Sequence, residues 1–356
     1  MPKREKIPDF PLFKTKKAGP QFNLEDRAQR RKYFDYKAGT EIRKLKEYLK
    51  KNTFMGFFLG PKNSGKGTYA KLFLEALNAD LVAHISVGDV VRSVHKSLIN
   101  TKSKRELIAF LQKRYRGYIP IDKILDIILG RDTKTLLPNE VILALVQREI
   151  DKLNRKAVFV DGFPRNLDQV QTSLYFRSLM GYRDDPDFFI FLHVPEAILA
   201  ERFKARVICP KCQTSRSLKL LRTKQVGYDK KIKEFFLICD NDGARMVPKE
   251  GDELGIEAIR GRLEIDKRVM NQLLQLQGVP KIYLRNSIPV RYAKEYVNDY
   301  ELTPASSYVW DKIGQTVKIN EKLWLTKDDI GVPSYSLLAP PIVVALIKQL
   351  VKSLDL

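Results

Sequence analysis

One short stretch, Gly60-Pro-Lys-Asn-Ser-Gly65-Lys66-Gly67-Thr68, limits what this chain can fold into more than any other. It follows a wholly apolar run, Phe54–Leu59, of the length and composition of a buried parallel strand, and it opens a helical pattern from Gly65 to Leu77. Glycines at these places let backbone N–H groups curl around phosphate oxygens without interference from a Cβ. The helix that follows aims the positive end of its dipole at the same point. Gly60, Asn63, Ser64, Gly65, Lys66, Gly67 and Thr68 are therefore the expected binding residues for a nucleoside triphosphate, with Lys66 reaching the β- and γ-phosphates. The hydroxyl comes one place later than in the generic phosphate loop, at Thr68, because Gly67 follows the lysine.

Around this loop the pattern alternates. Further strand candidates are Leu81–Ile85, Ala157–Val160, Phe188–Val194 and Lys281–Leu284. Helical stretches over Asn139–Leu153, Leu167–Ser178, Pro195–Arg206 and Gly255–Leu276 separate or flank them. Such alternation predicts a five-stranded parallel sheet with helices on both faces, an α/β chain of the P-loop NTPase fold, with ligands beyond the carboxyl ends of the strands.

Two further strand ends carry charge. Val160-Asp161-Gly162-Phe163-Pro164-Arg165 closes the third strand candidate, and His84-Ile-Ser86-Val87-Gly88-Asp89-Val-Val-Arg92 closes the second. A carboxylate after an apolar strand suits a residue that organises Mg²⁺, an ion held by few protein ligands. Arg165 has the planar fork that grips a phosphate bidentately.

The three cysteines are Cys209, Cys212 and Cys239. Cys209-Pro-Lys-Cys212 and, further on, Cys239-Asp240-Asn241-Asp242 supply three thiolates and a carboxylate, a donor set for tetrahedral Zn²⁺. An odd cysteine count with no export signal argues against a disulfide framework. A closed four-ligand site is structural and stiffens a segment too small to form its own core.

Together GPKNSGKGT, HISVGDVVR and DGFPRNLDQ, in this order and at strand ends, resemble the adenylate kinase family of nucleoside monophosphate kinases over roughly residues 54–284. The resemblance implies ATP as phosphoryl donor and AMP as acceptor. Arg92 and Arg165 would hold the acceptor phosphate, with Val87, Leu137, Gly162 and Gln169 completing the monophosphate site. Asp161 and Asp89 would organise Mg²⁺ through water. Gln169 stands where adenine-accepting members carry Gln, and its amide can donate and accept on the N6/N1 edge. Val87 stands where adenine-specific relatives have Thr and pyrimidine relatives Ala, so UMP, CMP or several monophosphates form an alternative. Arg202 and Arg206, four apart on a predicted helix, match arginines that bracket the transferring phosphoryl group, and Arg262 matches a third. A further lid arginine of the family has only Lys249 near its place. Zinc-lid relatives use the same Cys/Cys/Cys/Asp set with a shorter intervening hairpin.

These motifs divide the chain into a core (54–92, 139–206 and 258–292), a monophosphate-binding insert (93–138), a zinc lid (207–257) and two extensions (1–53 and 293–356). Asn23 is the expected N-cap of a helix over Leu24–Lys51, whose sparse apolar residues place it on the surface of another unit. A final helix from Pro340 to about Leu354 should pack on the sheet. The net charge of +22 favours polyanionic ligands and leaves a basic RNA-binding protein as the reading from another class. With no secretory signal and no apolar run long enough to span a bilayer, the chain reads as a cytoplasmic monomer.

Overall fold

The computed structural model describes residues 10–129, 137–162, 179–204, 206–212, 214–248 and 255–356. Arg165, Gln169, Lys249 and the expected helix over Leu167–Ser178 lie outside them.

The central sheet is parallel and built from β1 (Met55–Leu59), β2 (Val82–Ser86), β3 (Ala157–Asp161), β4 (Asp187–His193) and β10 (Lys281–Arg285), in the order β10-β4-β1-β3-β2. Each strand lies within a residue or so of its expected place. In β1 every residue is buried. Successive side chains go to opposite faces, so the strand feeds two separate cores. Phe54 and Phe58 join Phe159, Phe188 and Ile190 on one face, and Met55, Phe57 and Leu59 join Val158, Val160 and Phe189 on the other.

The first face is covered by α1 (Arg27–Tyr48), α2 (Lys66–Leu77) and α10 (Ala339–Ser353). Helix α10 carries Pro340 and Pro341 in its first turn, where a missing N–H costs nothing, and buries an almost continuous run from Pro340 to Ile347 against α1, α2 and β10. Helix α1 lies against α2 and α10 and adds Tyr33, Phe34, Ala38, Ile42 and Leu45 to the core. Its N-cap is Asp26, not Asn23. Asp26 Oδ1 accepts from the N–H groups of Ala28 and Gln29 at 3.0 Å, whereas the Asn23 amide oxygen is used in a local turn to Glu25 N.

The second face is covered by α3 (Val87–Ser97), α6 (Asn139–Lys152) and α8 (Arg260–Gln275), with α4 (Thr101–Arg114) and α5 (Ile121–Ile128) packed outside α3 and α6. Helix α7 (Glu196–Lys204) follows β4. The expectation that it runs on to Arg206 is corrected. Arg206 opens β5 (Arg206–Ile208), which pairs with β6 (Ser215–Ser217) and β9 (Val247–Pro248), so the ladder Arg206↔Ser217 draws that residue out of helical register. β7 (Gln225–Asp229) and β8 (Glu234–Ile238) form an adjoining hairpin.

Between β10 and α10 the chain inserts β11 (Ser287–Pro289), α9 (Val290–Tyr296), the hairpin of β12 (Pro304–Asp311) and β13 (Thr316–Leu323), β14 (Leu325–Lys327) and β15 (Pro333–Ser336). β15 sits between β11 and β14 at the base of this insert. The β12–β13 hairpin reaches the segment of residues 206–248: Ser306 N donates to the Lys219 carbonyl at 2.7 Å, and Arg222 pairs with Glu321 at 2.6 Å. Beneath the insert, Glu301 is fully buried and accepts from Lys37 (3.0 Å), Tyr33 (2.6 Å) and Thr15 (3.1 Å), joining the N-terminal segment to the C-terminal one. Among the described residues, no helix is long and apolar enough to cross a membrane.

Candidate active site

The loop between β1 and α2 has the shape its sequence requires. Gly65 has φ +106°, and a Cβ there would lie about 3.0 Å from the Tyr69 ring, so only glycine fits. Asn63 is left-handed at φ 65°, a conformation that asparagine tolerates. Lys66 folds back across the loop, donating to the carbonyls of Gly60 (2.8 Å) and Pro61 (2.9 Å). Its Nζ stands 3.8 Å from an Asp161 carboxylate oxygen. Ser64 is completely buried, and neither its Oγ nor the Asn63 Nδ2 finds a hydrogen-bond partner among the described residues. Unsatisfied buried polar atoms are costly, and here they belong to a loop shaped for an anionic ligand.

Asp161 ends β3 beside the loop, as the sequence predicts. His84 of β2 has its Nε2 3.9 Å from the other Asp161 oxygen, and that nitrogen also lacks a described partner. Burial pushes the His84 pKa below its ordinary value, only partly offset by the Asp161 charge, so the imidazole is neutral near pH 7. Asp161 faces the loop, with its Oδ2 3.9 Å from where a Cβ on Gly67 would lie, and a carboxylate there is a donor of the kind Mg²⁺ takes alongside nucleotide phosphates. One turn into α3, Asp89 and Arg92 are ion-paired to each other and exposed. Val87 is buried with Val90 and Val94. Leu137, half-buried, packs against the same cluster, and Gly162 follows Asp161 at φ 88°.

The basic residues converge on the phosphate loop from the other side. Arg202 donates to the Ser64 carbonyl at 3.0 Å and to the Asn286 side-chain oxygen at 2.9 Å. Arg206, although beyond the end of α7, donates to Asn63 Oδ1 at 3.1 Å. Arg262 lies one step further out and pairs with Asp266 at 2.9 Å; Asp266 in turn accepts from Lys62 N of the loop. Next to Arg202 opens a cleft of about 170 Å³, walled by Thr68, Leu220 and Leu221 on one side and by Thr303, Leu337 and Leu338 on the other.

Cys209, Cys212, Cys239 and Asp242 come together with all their ligating atoms within 4.8 Å of one another. Cys212 and Cys239 have sulfurs 3.5 Å apart, and Cys209 Sγ lies 3.1 Å from an Asp242 oxygen. Two tight turns make this possible: Cys209 N donates to the Thr214 carbonyl and Cys239 N to that of Ala244. Hydrogen bonds from Thr214 and then Asn241 hold the Cys212 thiol down to about 7, and the Ala244 N–H leads the contacts that hold Asp242 to about 2. Burial pushes the Cys239 thiol the other way, up to about 11, so that sulfur would lose its proton on binding a metal; three sulfurs and a carboxylate in this spacing fit Zn²⁺. Behind the cluster Val207, Leu237 and Met246 make a small apolar core.

Sequence reasoning did not anticipate Asn286, Asp266 or the walls of the cleft. Asn286 does carry a signal: it directly follows the last strand of the sheet, and strand ends host the ligands in such folds. Leu220, Leu221 and Leu337 carry none, because isolated leucines in irregular segments look like ordinary packing.

Residues 59–208 match the family model described as AAA domain. An adenylate kinase of Fervidobacterium nodosum is 30% identical over 230 residues, 62% of this chain and 88% of the relative. One of Clostridium acetobutylicum is 28% identical over 229 residues, covering 64% and 85%. One of Staphylococcus epidermidis is 28% identical over 243 residues, covering 68% and 94%.

Proposed function

The chain belongs to the adenylate kinase family of nucleoside monophosphate kinases, and on that premise we propose that it transfers the γ-phosphoryl group of ATP to AMP, forming two ADP. The observation that carries this reading is the convergence of Lys66, Asp161, Arg202 and Arg206 on one phosphate-shaped loop. Phosphoryl transfer needs little covalent help from a protein. It needs in-line positioning and neutralisation of charge on the equatorial oxygens.

In this reading the triphosphate lies in the loop over residues 60–68. Its phosphates displace the contacts that Lys66 makes with the Gly60 and Pro61 carbonyls, which frees the ammonium for the β- and γ-oxygens. Arg202 and Arg206 approach from the lid side, with Arg262 behind them. Arg92 and Arg165 grip the acceptor phosphate from the opposite side, and Leu137, Gly162 and Gln169 meet the acceptor base. Mg²⁺, held by Asp161 and Asp89 through water, supplies charge neutralisation on the donor phosphates when bound. The acceptor phosphate itself attacks, so no protein nucleophile takes part. Cys209, Cys212, Cys239 and Asp242 would hold Zn²⁺, which would stiffen the lid so that its closure excludes water. The division into core, acceptor insert, lid and two extensions follows from these roles.

Val87 favours a second reading at the acceptor, a broader monophosphate specificity, since a buried valine gives a base no hydrogen bond. Offering AMP, CMP, UMP and GMP singly with ATP and measuring ADP formation tests both. Preference for AMP by a factor of about 100 or more is expected from a bidentate amide contact. Equal rates with CMP or UMP would establish the broader reading, and no turnover with any acceptor would overturn the kinase.

A further inference from the structure

Asn286 is the first residue after β10, and its side chain is completely buried. Its amide oxygen accepts from the Arg202 guanidinium at 2.9 Å and from Ser336 Oγ at 3.1 Å. Its amide nitrogen donates to Tyr69 Oη at 2.8 Å and to the Leu337 carbonyl at 3.1 Å. Its backbone is also committed, with N–H to the His193 carbonyl at 2.9 Å and C=O to Leu337 N at 3.2 Å. Four elements therefore meet on one small side chain: β10, the phosphate-loop helix α2 through Tyr69, helix α7 through Arg202, and the segment that leads from the insert into α10.

The side-chain chemistry suits this place closely. A neutral amide accepts twice and donates twice at once. A carboxylate would accept from Arg202 and Ser336 but would face the Leu337 carbonyl with no proton to give. A hydroxyl is too short to span from Tyr69 to Arg202. The contacts also differ in kind. Those to Tyr69 and Leu337 close the wall of the cleft beside the loop, whereas the one to Arg202 helps fix a long, flexible cation that also donates to the Ser64 and Asn63 carbonyls, at 3.0 and 3.4 Å, and bonds to Tyr69.

We propose that Asn286 is a positioning residue for the donor nucleotide: it sets Arg202 and the wall at Leu337 and Leu338 in register with the phosphate loop, so that the base end of the triphosphate enters a preformed cleft. The inference rests on the reading that Arg202 serves the triphosphate. Asn286 itself touches no reacting atom. Its removal therefore acts on donor binding and leaves the acceptor side alone, since Arg92 and Leu137 make none of these contacts.

The test is a kinetic cycle on the full-length protein with N286A, R202A and the double variant, reading KM for ATP, KM for AMP and kcat separately. Loss of a hydrogen bond to a charged group predicts a rise in KM for ATP of about 10-fold or more in N286A. KM for AMP should stay within about 2-fold and kcat within about 3-fold by the same reasoning, because the acceptor contacts are untouched. Added to R202A, N286A should raise KM for ATP by less than it does alone, because the Arg202 contact is already gone and the wall contacts remain to be lost. N286D keeps an acceptor oxygen opposite Arg202 and should recover most of the donor affinity. An unchanged KM for ATP in N286A, an equal rise for AMP, or full additivity with R202A would overturn the proposal. Thermal unfolding checks each variant; if N286A does not fold, N286S, whose hydroxyl cannot reach Arg202, takes its place in the cycle. Wild-type turnover is measured first. If it is absent the kinase reading fails by itself, and equilibrium binding of ATP to the same variants then decides on Asn286, tighter or equal binding by N286A counting against it.

Discussion

Trp310, on the inserted hairpin, stacks on Tyr228 of the β7–β8 hairpin with ring centroids 4.8 Å apart and planes 18° from parallel. Tyr228 in turn packs on Phe235 at 4.9 Å, and Phe235 on Tyr308 at 5.5 Å, so two β-hairpins from distant parts of the chain are joined by a run of aromatic rings. Backbone bonding at Ser306 and the ion pair of Arg222 with Glu321 continue the same seam.

Trp310→Ala should loosen this seam without unfolding the core. An aromatic pair contributes about 0.5–1.5 kcal/mol beyond its burial. Hydrogen exchange of the amides in β7 and β8 should therefore speed up by roughly 2- to 10-fold, the same free energy expressed as a ratio. Core strands such as β1 should exchange as before. Unchanged protection in β7 and β8 would mean that the ring stack does not hold the lid hairpin.

Cys239→Ser should abolish metal retention. The remaining ligands leave a site with one weak donor, and a segment whose own apolar core consists of a handful of residues depends on the ion for its fold. Metal analysis by mass spectrometry should find about one zinc per chain in the wild type and close to none in the variant, in line with closed four-ligand sites. Residues 207–248 should become sensitive to protease while the sheet stays intact. Full zinc in the variant would exclude Cys239 as a ligand.

Glu301→Ala should be among the most damaging single changes in the extensions. It leaves the Lys37 ammonium, whose side chain is 1% exposed and whose pKa burial already lowers despite the pairing, with neutral acceptors, the Thr15 carbonyl at 2.7 Å and Asn298 Oδ1 at 2.6 Å, and without its counter-charge. Breaking one partner of a buried pair costs about 3–5 kcal/mol. Urea denaturation should show a loss of that size, and a loss under 1 kcal/mol, on the order expected of an exposed pair, would mean that Lys37 finds water or another acceptor.

Asp187 gives a pH prediction. Burial raises its carboxyl to about 6, only partly countered by the Gly181 N–H, and its Oδ1 lacks a described partner. The native state thus binds a proton more tightly than the unfolded chain, whose group titrates near its ordinary value of 3.8. Stability from this group is present below pH 3.8 and falls as pH rises through about 6. Asp187→Asn, neutral throughout, should raise Tm by roughly 1–3 °C at pH 7.5, given the usual scaling for a large domain. The gain should vanish at pH 4. A gain that is independent of pH would assign the effect to packing.

Much of the phosphate loop and of the cysteine cluster is legible because their residues are forced by local geometry. Gly65 must be glycine where the chain turns at positive φ, Asp161 ends an apolar strand, and Cys209 with Cys212 and Cys239 with Asp242 sit three residues apart in tight turns. Less was legible where distant segments meet. The helix expected over Pro195–Arg206 is too long, because an arginine pair at i and i+4 fits a helix while the Arg206↔Ser217 ladder wins over local propensity. Asn23 has a capping side chain just before the helical pattern, yet it is Asp26 that accepts from the Ala28 and Gln29 N–H groups. The wall of the cleft at Leu337 and Leu338 lies some fifty residues after β10, beyond a hairpin with no apolar stripe to announce its partner.

The covering of the first sheet face by α1, α2 and α10 has a consequence for synthesis. Translation delivers α1 and α2 early and α10 after all five strands, so the first face, with Phe73 of α2 on Phe159, stays only partly covered on the nascent chain until the final helix emerges. The phosphate loop, the Cys209, Cys212, Cys239 and Asp242 cluster and the arginines beside the loop are all made long before that moment. A transcript cut just short of codon 339 would thus encode the whole candidate site and still leave one face of its sheet open to aggregation.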